Sequence, residues 1–174
     1  MRRLRREGAY FRIADPEWAH PLDATYAAER GGRWNPPGSF PVLYLNRNLK
    51  TARANIERKF AGLPYGPETL RPEDAPLLIE TAVADADFVD VVTDEGCVAA
   101  GLPATYPLYR NAREVGWDRC QPIGVQAWGA GETGIACRSA ATRDRTGEEL
   151  ALFRRPGQAA LGVVRRFLFE EWFW

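Results

Sequence analysis

Short apolar runs, separated by stretches rich in proline and glycine, dominate the hydrophobic pattern of this chain. In the first half, the runs at residues 9–13 and 41–46 have the length and composition of strands. Residues 15–30 contain two prolines and few periodic apolar positions, so they predict a loop with room for one helical turn.

A helix is predicted directly after the second of these strands. Asn48 is a favourable N-cap residue, and apolar residues then recur at helical spacing to about residue 60. Glu57 falls on the flank of the apolar stripe. The stripe itself consists of Leu49, Ala52, Ile56 and Phe60.

The second half of the chain continues with further strands and helices. Helices are predicted around residues 108–115 and 120–128, the second with Pro122 in its first turn. Together the elements predict an α+β fold, a largely antiparallel, split sheet with helices around a cleft. We expect one domain over residues 1–174. The remaining strands are predicted at residues 77–83, 88–92, 133–138, 149–153 and 161–169, with an Ala-Asp repeat as the turn between the first two.

The most distinctive local motif is the turn Gly31-Gly32-Arg33-Trp34-Asn35-Pro36-Pro37-Gly38. Its glycines permit positive φ and a close approach to a ligand, and its prolines stiffen the exit. An arginine on such a turn can present its planar guanidinium group to a phosphate or carboxylate with little further loss of entropy. An ordinary turn with a solvated arginine explains the same pattern.

Tyr44 in the second strand and Glu57 on the helix follow Arg33 in the chain, and each also has a purely structural explanation. A strand tyrosine commonly packs in the core. Glu57 lies four residues after Arg53, a spacing that gives a weak ion pair. The combination of the three residues, rather than any one of them, predicts a functional site.

Composition and charge exclude several function classes. The chain has 23 basic and 23 acidic residues, and this neutral balance argues against direct binding of nucleic acid. The basic segment at residues 1–6 is expected to be a solvated tail. No apolar run approaches the ~20 residues of a membrane span. The aromatic segment at residues 170–174 either folds back on the core or meets a partner.

Histidine and cysteine usage exclude other kinds of site. His20 is the only histidine and there is no Cys-x-x-Cys pair, so neither a metal site nor a serine hydrolase is expected. Three widely spaced cysteines fit a reducing compartment, which predicts a cytoplasmic protein.

Several of these segments together resemble the RES-domain family, which is named for arginine, glutamate and serine. The resemblance covers roughly residues 9–153. The matching residues are Tyr10-Phe11-Arg12-Ile13, Gly31-Gly32-Arg33-Trp34-Asn35, Gly38, Leu43-Tyr44-Leu45, Ala54 to Glu57, Gln121-Pro122-Ile123-Gly124, Gly134-Ile135, Ser139-Ala140 and Leu150-Ala151-Leu152-Phe153.

The resemblance implies an ADP-ribosyltransferase-like fold and a bacterial toxin that degrades NAD. Such a toxin cleaves the nicotinamide–ribose bond by hydrolysis or, with inorganic phosphate as co-substrate, by phosphorolysis. NAD would then be the substrate, with no cofactor. A protein antitoxin with a helix-turn-helix DNA-binding domain would occlude the cleft. Transfer of ADP-ribose to a macromolecule, and nucleotide binding without catalysis, remain alternatives.

The resemblance also implies a site of four residues. Arg33 would bind pyrophosphate or phosphate, Tyr44 would stack on nicotinamide, and Ser139 would hydrogen-bond a ribose hydroxyl or phosphate. Glu57 would stabilise the positive charge that develops on the ribose. Family members often have an arginine two residues after the serine. Here Ala141 occupies that position, so Arg138 or Arg143 would have to compensate.

Overall fold

The computed structural model describes residues 1–142 and 144–174, and within them it contains six strands and five α-helices. The strands are β1 (Arg3–Ala14), β2 (Val42–Asn46), β3 (Leu77–Val91), β4 (Gly134–Arg138), β5 (Glu148–Phe153) and β6 (Val163–Phe167). The helices are α1 (Thr25–Arg30), α2 (Leu49–Phe60), α3 (Asp94–Ala99), α4 (Trp117–Gly129) and α5 (Phe169–Trp172).

The six strands form one largely antiparallel sheet in the order β1-β2-β5-β4-β3-β6. The exception is the parallel pair β3–β4. Because β1 pairs with β3 as well as with β2, the pairings return to their starting strand. The expected α+β fold is therefore confirmed. No helix in the described part of the chain is long and apolar enough to cross a bilayer.

The residues of β2 and β5 alternate between two faces of the sheet, as the two-residue period of a strand requires. Their leucines pack into one core cluster. Tyr44 pairs with Ala151 and Asn46 pairs with Glu149, so these four side chains share the opposite face. This face carries the polar residues that are described below.

Helix α2 has the predicted cap and the predicted core face. The Asn48 side chain accepts a hydrogen bond from the Thr51 amide, 2.9 Å away. Ala52 and Ile56 are buried against Trp172 and other residues of the C-terminal segment. The aromatic C-terminus thus folds back onto the core, and this contact fixes the rotation of α2 about its axis.

Two predictions were wrong for the same reason. One was the solvated tail at residues 1–6, and the other was the turn between strands at residues 77–83 and 88–92. Residues 77–91 form one continuous strand, not two strands with a turn, because the Ala-Asp repeat pairs with the basic residues of β1. Arg5, for example, lies opposite Asp87 and forms an ion pair with Asp85. The basic N-terminus is therefore part of the sheet rather than a solvated tail.

The helix predicted around residues 108–115 is also absent from the structure. Leu108 and Glu114 instead form an isolated β-bridge across a turn. Ala112 has a positive φ of 61°, which an α-helix excludes. The nearest preceding helix is α3, which ends at Ala99 and begins after Thr93. The Thr93 hydroxyl caps it by accepting a hydrogen bond from the Gly96 amide.

Candidate active site

The Arg33 turn is held from inside by buried polar contacts. The Asn35 side chain donates to the carbonyl oxygens of Ala27, at 2.5 Å, and Phe40, at 3.3 Å. The Trp34 ring is fully buried, and its Nε1 donates to the Cys137 sulfur at 3.3 Å. These contacts give the turn a defined position, so the glycine-rich motif is not a loosely solvated loop.

Tyr44 ties the turn to the sheet. Its hydroxyl donates to Asn35 Oδ1, 2.7 Å away, and accepts a hydrogen bond from the Trp34 amide at 2.9 Å. A Cβ atom added at Gly32 would lie 2.5 Å from this hydroxyl, which explains a glycine at that position. Burial raises the pKa of Tyr44 well above its ordinary value, so the hydroxyl stays protonated.

Arg33 is largely buried and its guanidinium group is already oriented. Nη1 donates to the Val115 carbonyl at 2.9 Å, and Nη2 donates to Glu114 Oε1 at 2.5 Å. Glu114 also accepts two hydrogen bonds from Arg58 Nη2, at 2.9 and 2.7 Å. Although burial opposes ionisation, these hydrogen bonds hold the pKa of Glu114 below its ordinary value.

A cavity of about 400 Å³ opens between the Arg33 turn, β2, α2 and the start of β5. We call it the Arg33–Tyr44 cavity. Arg12, Arg33, Arg58 and Lys59 contribute positive charge to its wall. Glu149 is the only carboxylate among the described residues that line it. The cavity therefore suits a ligand that carries both anionic and cationic groups.

Arg12 is an unusual member of this wall because it is 93% buried. Its guanidinium carbon lies 5.2 Å from the centre of the Trp18 ring, and Nη1 has no hydrogen-bond partner among the described residues. Burial lowers the pKa of Arg12 to about 10. A desolvated cation of this kind favours the approach of an anion.

Ser139 follows β4 and contacts Glu149. The serine side chain is fully buried, and Oγ donates to Glu149 Oε1 at 2.5 Å. Asn55 of α2 donates to the same oxygen at 2.7 Å and to Asn46 Oδ1 at 2.9 Å. Ser139 is not among the described residues that line the cavity. Its link to the cavity is Glu149.

Glu57 lies on a different side of α2 from the residues that face the Arg33–Tyr44 cavity. Asn55, Arg58 and Lys59 line that cavity, whereas Glu57 is exposed and lines a neighbouring one beside Glu114. At 100° per residue, Glu57 is roughly 150° from the centre of the cavity-facing arc. Of the four predicted residues, the structure thus brings Arg33, Tyr44 and Ser139 close to one cavity and places Glu57 beside another.

The arginines considered as compensation for Ala141 do not supply a replacement in this cavity. Arg138 donates to the carbonyl oxygens of Val92, Ala104 and Tyr106, so its guanidinium group is occupied in holding neighbouring loops. Arg143 lies outside the described residues.

Sequence reasoning missed Asn55, Glu114 and Glu149 as members of the site. The one available signal was the strand period, which places Glu149 on the same face as Ala151. The pairing of Ala151 with Tyr44 is a long-range fact that the sequence does not contain. No group of residues suited to hold a metal ion occurs in the described part of the chain.

Sequence and fold are both similar to those of known proteins. A family model described as RES domain matches residues 9–171. The NAD(+) phosphorylases MbcT of Mycobacterium tuberculosis and Mycobacterium bovis are 29% identical to this chain over an alignment of 137 residues. The match covers 73% of this chain and 70% of each relative. The crystal structure of the M. tuberculosis MbcT–MbcA toxin–antitoxin complex matches with a TM-score of 0.76 at 24% identity. This match covers 98% of this chain and 91% of the other.

Proposed function

The chain belongs to the RES-domain family, and on that premise we propose that it is a toxin that degrades NAD by breaking the nicotinamide–ribose bond. The observation that carries the proposal is the Arg33–Tyr44 cavity, which combines four cationic side chains, a fixed tyrosine and one carboxylate. NAD has complementary chemistry, since its pyrophosphate is anionic and its nicotinamide ring is cationic. The curated relatives at 29% identity are named NAD(+) phosphorylases.

The cleavage chemistry makes modest demands on the protein. Nicotinamide leaves as a neutral molecule, so no acid is needed to protonate it, and the scarcity of histidine is no obstacle. The ribose gains oxocarbenium character as the bond breaks, and a nearby negative charge stabilises it. A cavity of about 400 Å³ is within the usual size range of small-molecule sites.

The cationic wall would bind the phosphates. Arg33 is preoriented by the Val115 carbonyl and Glu114, so it would bind a pyrophosphate oxygen with little loss of side-chain entropy. Arg12 is desolvated, and its unpartnered Nη1 would donate a hydrogen bond to the same ligand. Tyr44 would offer the nicotinamide ring a surface whose position is fixed by its hydrogen bonds to the turn. Ser139 would act on the ribose side through Glu149.

Inorganic phosphate is the acceptor that we propose, with water as the alternative. A phosphate oxygen would form the new bond to the ribose carbon while the bond to nicotinamide breaks. Arg58 and Lys59 lie at the wall of the cavity and would attract this dianion. The name phosphorylase of the curated relatives supports the same choice.

A protein antitoxin would restrain this activity in the cell that makes it. The structure with a TM-score of 0.76 is that of MbcT bound to MbcA in a toxin–antitoxin complex. We propose a comparable partner, with a helix-turn-helix DNA-binding domain, that covers the Arg33–Tyr44 cavity. We also propose a cytoplasmic location, because all three cysteines are free and buried.

The test is nicotinamide release from NAD by purified protein that is free of any partner, with and without inorganic phosphate. Release that depends on phosphate would support phosphorolysis, and release in both buffers would support hydrolysis. Labelled NAD that transfers its label to a macromolecule would instead support an ADP-ribosyltransferase. NAD binding without any release would contradict the proposed activity and support a non-catalytic binding module.

A further inference from the structure

Glu149 is the one carboxylate among the described residues that line the Arg33–Tyr44 cavity. It is the first residue of β5 whose side chain lies on the face toward the cavity. There it pairs with Asn46 of β2 and Cys137 of β4. Tyr44 lies two residues before Asn46, so the phenol and the carboxylate project from the same face. We infer that Glu149, rather than Glu57, is the catalytic carboxylate that faces the ribose. This inference rests on the proposed function.

The hydrogen bonds of Glu149 leave its charge available. Oε1 accepts from the Ser139 hydroxyl and from the Asn55 amide, which are both neutral donors. No described residue donates to Oε2. The two donors orient the carboxylate without neutralising it, so its negative charge acts on whatever occupies the cavity.

Glu114 is the contrasting carboxylate in the same region, because its charge is paired with two arginines. It accepts hydrogen bonds from Arg33 and from Arg58, and it lines the neighbouring cavity instead. Its negative charge is balanced by the two arginines that it positions. Glu57 lines that neighbouring cavity as well and is exposed to water, where a charge is strongly screened.

The expected size of the effect follows from the distance at which such a charge acts. A carboxylate about 4 Å from a developing cation, at an effective dielectric constant near 20, accelerates the reaction by about 10³-fold. In the reaction, the C–N bond between ribose and nicotinamide breaks and its electron pair stays on the nicotinamide nitrogen. A phosphate oxygen supplies the electron pair of the new bond to the ribose carbon. Glu149 stays ionised and gains no covalent bond.

The variant that tests this role is Glu149→Gln, because glutamine keeps an oxygen for Ser139 and Asn55 while it removes the charge. We expect kcat for nicotinamide release to fall by about 10³-fold, with KM for NAD changed by less than about threefold. A merely structural residue would lower the melting temperature and leave the kcat of the folded fraction unchanged. Both quantities are therefore measured on the same preparation.

The matched control is Glu148→Gln, which removes the neighbouring carboxylate on the same strand. Glu148 points to the opposite face and pairs with Arg6, at 2.6 and 2.8 Å. We expect this variant to keep wild-type kcat even though it loses an ion pair. The competing variant is Glu57→Gln, which we expect to retain turnover as well.

Three results would overturn the inference. The first is a Glu149→Gln enzyme whose kcat is within about threefold of wild type. The second is a loss of turnover in Glu57→Gln while Glu149→Gln remains active. The third is a wild-type protein that releases no nicotinamide, which removes the proposed function and this role together. If Glu149→Gln does not fold, Glu149→Asp takes its place. That variant should lower kcat without changing KM, and an unchanged kcat would contradict the inference.

Discussion

Glu114 and Glu149 are two carboxylates that the fold places near the same arginine turn, yet their surroundings are opposite. Glu114 is bound by the guanidinium groups of Arg33 and Arg58. Glu149 is bound by one hydroxyl and one amide. The donors around a carboxylate, rather than its residue type, thus decide whether it serves as a clamp for cations or as a source of negative charge.

The largest expected effect is the loss of kcat in Glu149→Gln. The first test asks whether a carboxylate on α2 can reverse part of that loss. Asn55 and Glu149 are in direct contact at 2.7 Å, so Asn55→Glu combined with Glu149→Gln returns a carboxylate to the same corner of the cavity. We expect the double variant to recover at least about tenfold of the 10³-fold loss in kcat. The measurement is nicotinamide release at saturating NAD.

The single variant Asn55→Glu is the control for that experiment. It places two carboxylates in contact, which raises the pKa of one of them and is expected to destabilise the fold. A double variant that is folded but no more active than Glu149→Gln would show that the strand position itself, and not the charge, is needed.

The second test removes Arg33, the buried cation that Glu114 orients at the cavity wall. Arg33→Gln deletes the guanidinium group that is expected to bind the substrate phosphates and leaves Glu114 with Arg58 alone. Loss of a charged hydrogen bond costs about 1.5–3 kcal/mol, so we expect KM for NAD to rise by about 10- to 100-fold. Steady-state kinetics over a range of NAD concentrations would measure this change.

Arg33→Lys is the matched control, because lysine keeps the charge but not the planar guanidinium group. We expect it to fall between Arg33→Gln and wild type. An unchanged KM in Arg33→Gln would refute the assignment of Arg33 to phosphate binding.

A smaller effect on stability and on kcat is expected when Glu114 no longer pairs with Arg33 and Arg58. Glu114→Gln keeps the shape of the side chain but removes the charge that two arginines share. Because these groups are partly exposed, we expect the free energy of unfolding to fall by only about 1 kcal/mol. The kcat should stay within about threefold of wild type, in contrast with Glu149→Gln. A loss of kcat as large as that of Glu149→Gln would erase the distinction between the two carboxylates.

The smallest effect concerns pH. The pKa of Glu114 is lowered in the folded protein by its arginine partners, so its contribution to stability is present above the ordinary glutamate pKa. That contribution is lost as the pH falls through the lowered, folded-state value. We therefore expect the difference in melting temperature between wild type and Glu114→Gln to be largest at neutral pH and to shrink in acid. A difference in melting temperature that does not depend on pH would contradict the claim that Arg33 and Arg58 stabilise the ionised form of Glu114.

Sequence reasoning predicted the local elements of the site well. The Arg33 turn, the Tyr44 strand and the cap at Asn48 all depend on short-range signals, namely glycine and proline geometry, β-propensity and side-chain capping. Predictions that depended on which segments pair with each other in the sheet were less successful. Residues 77–91 form one strand because β1 lies beside them, and no local signal contains that pairing.

The sequence by itself therefore determined the fold class, the family and the arginine turn, because these follow from local patterns and matching motifs. Only the tertiary structure decided which carboxylate faces the cavity. The C-terminal aromatic residues fix the rotation of α2, which turns Asn55 inward and Glu57 away. The pairing of β2 with β5 then brings Glu149 to Asn55 across 94 positions of the chain. A contact between residues so far apart depends on how whole elements pack, and short-range patterns do not encode it.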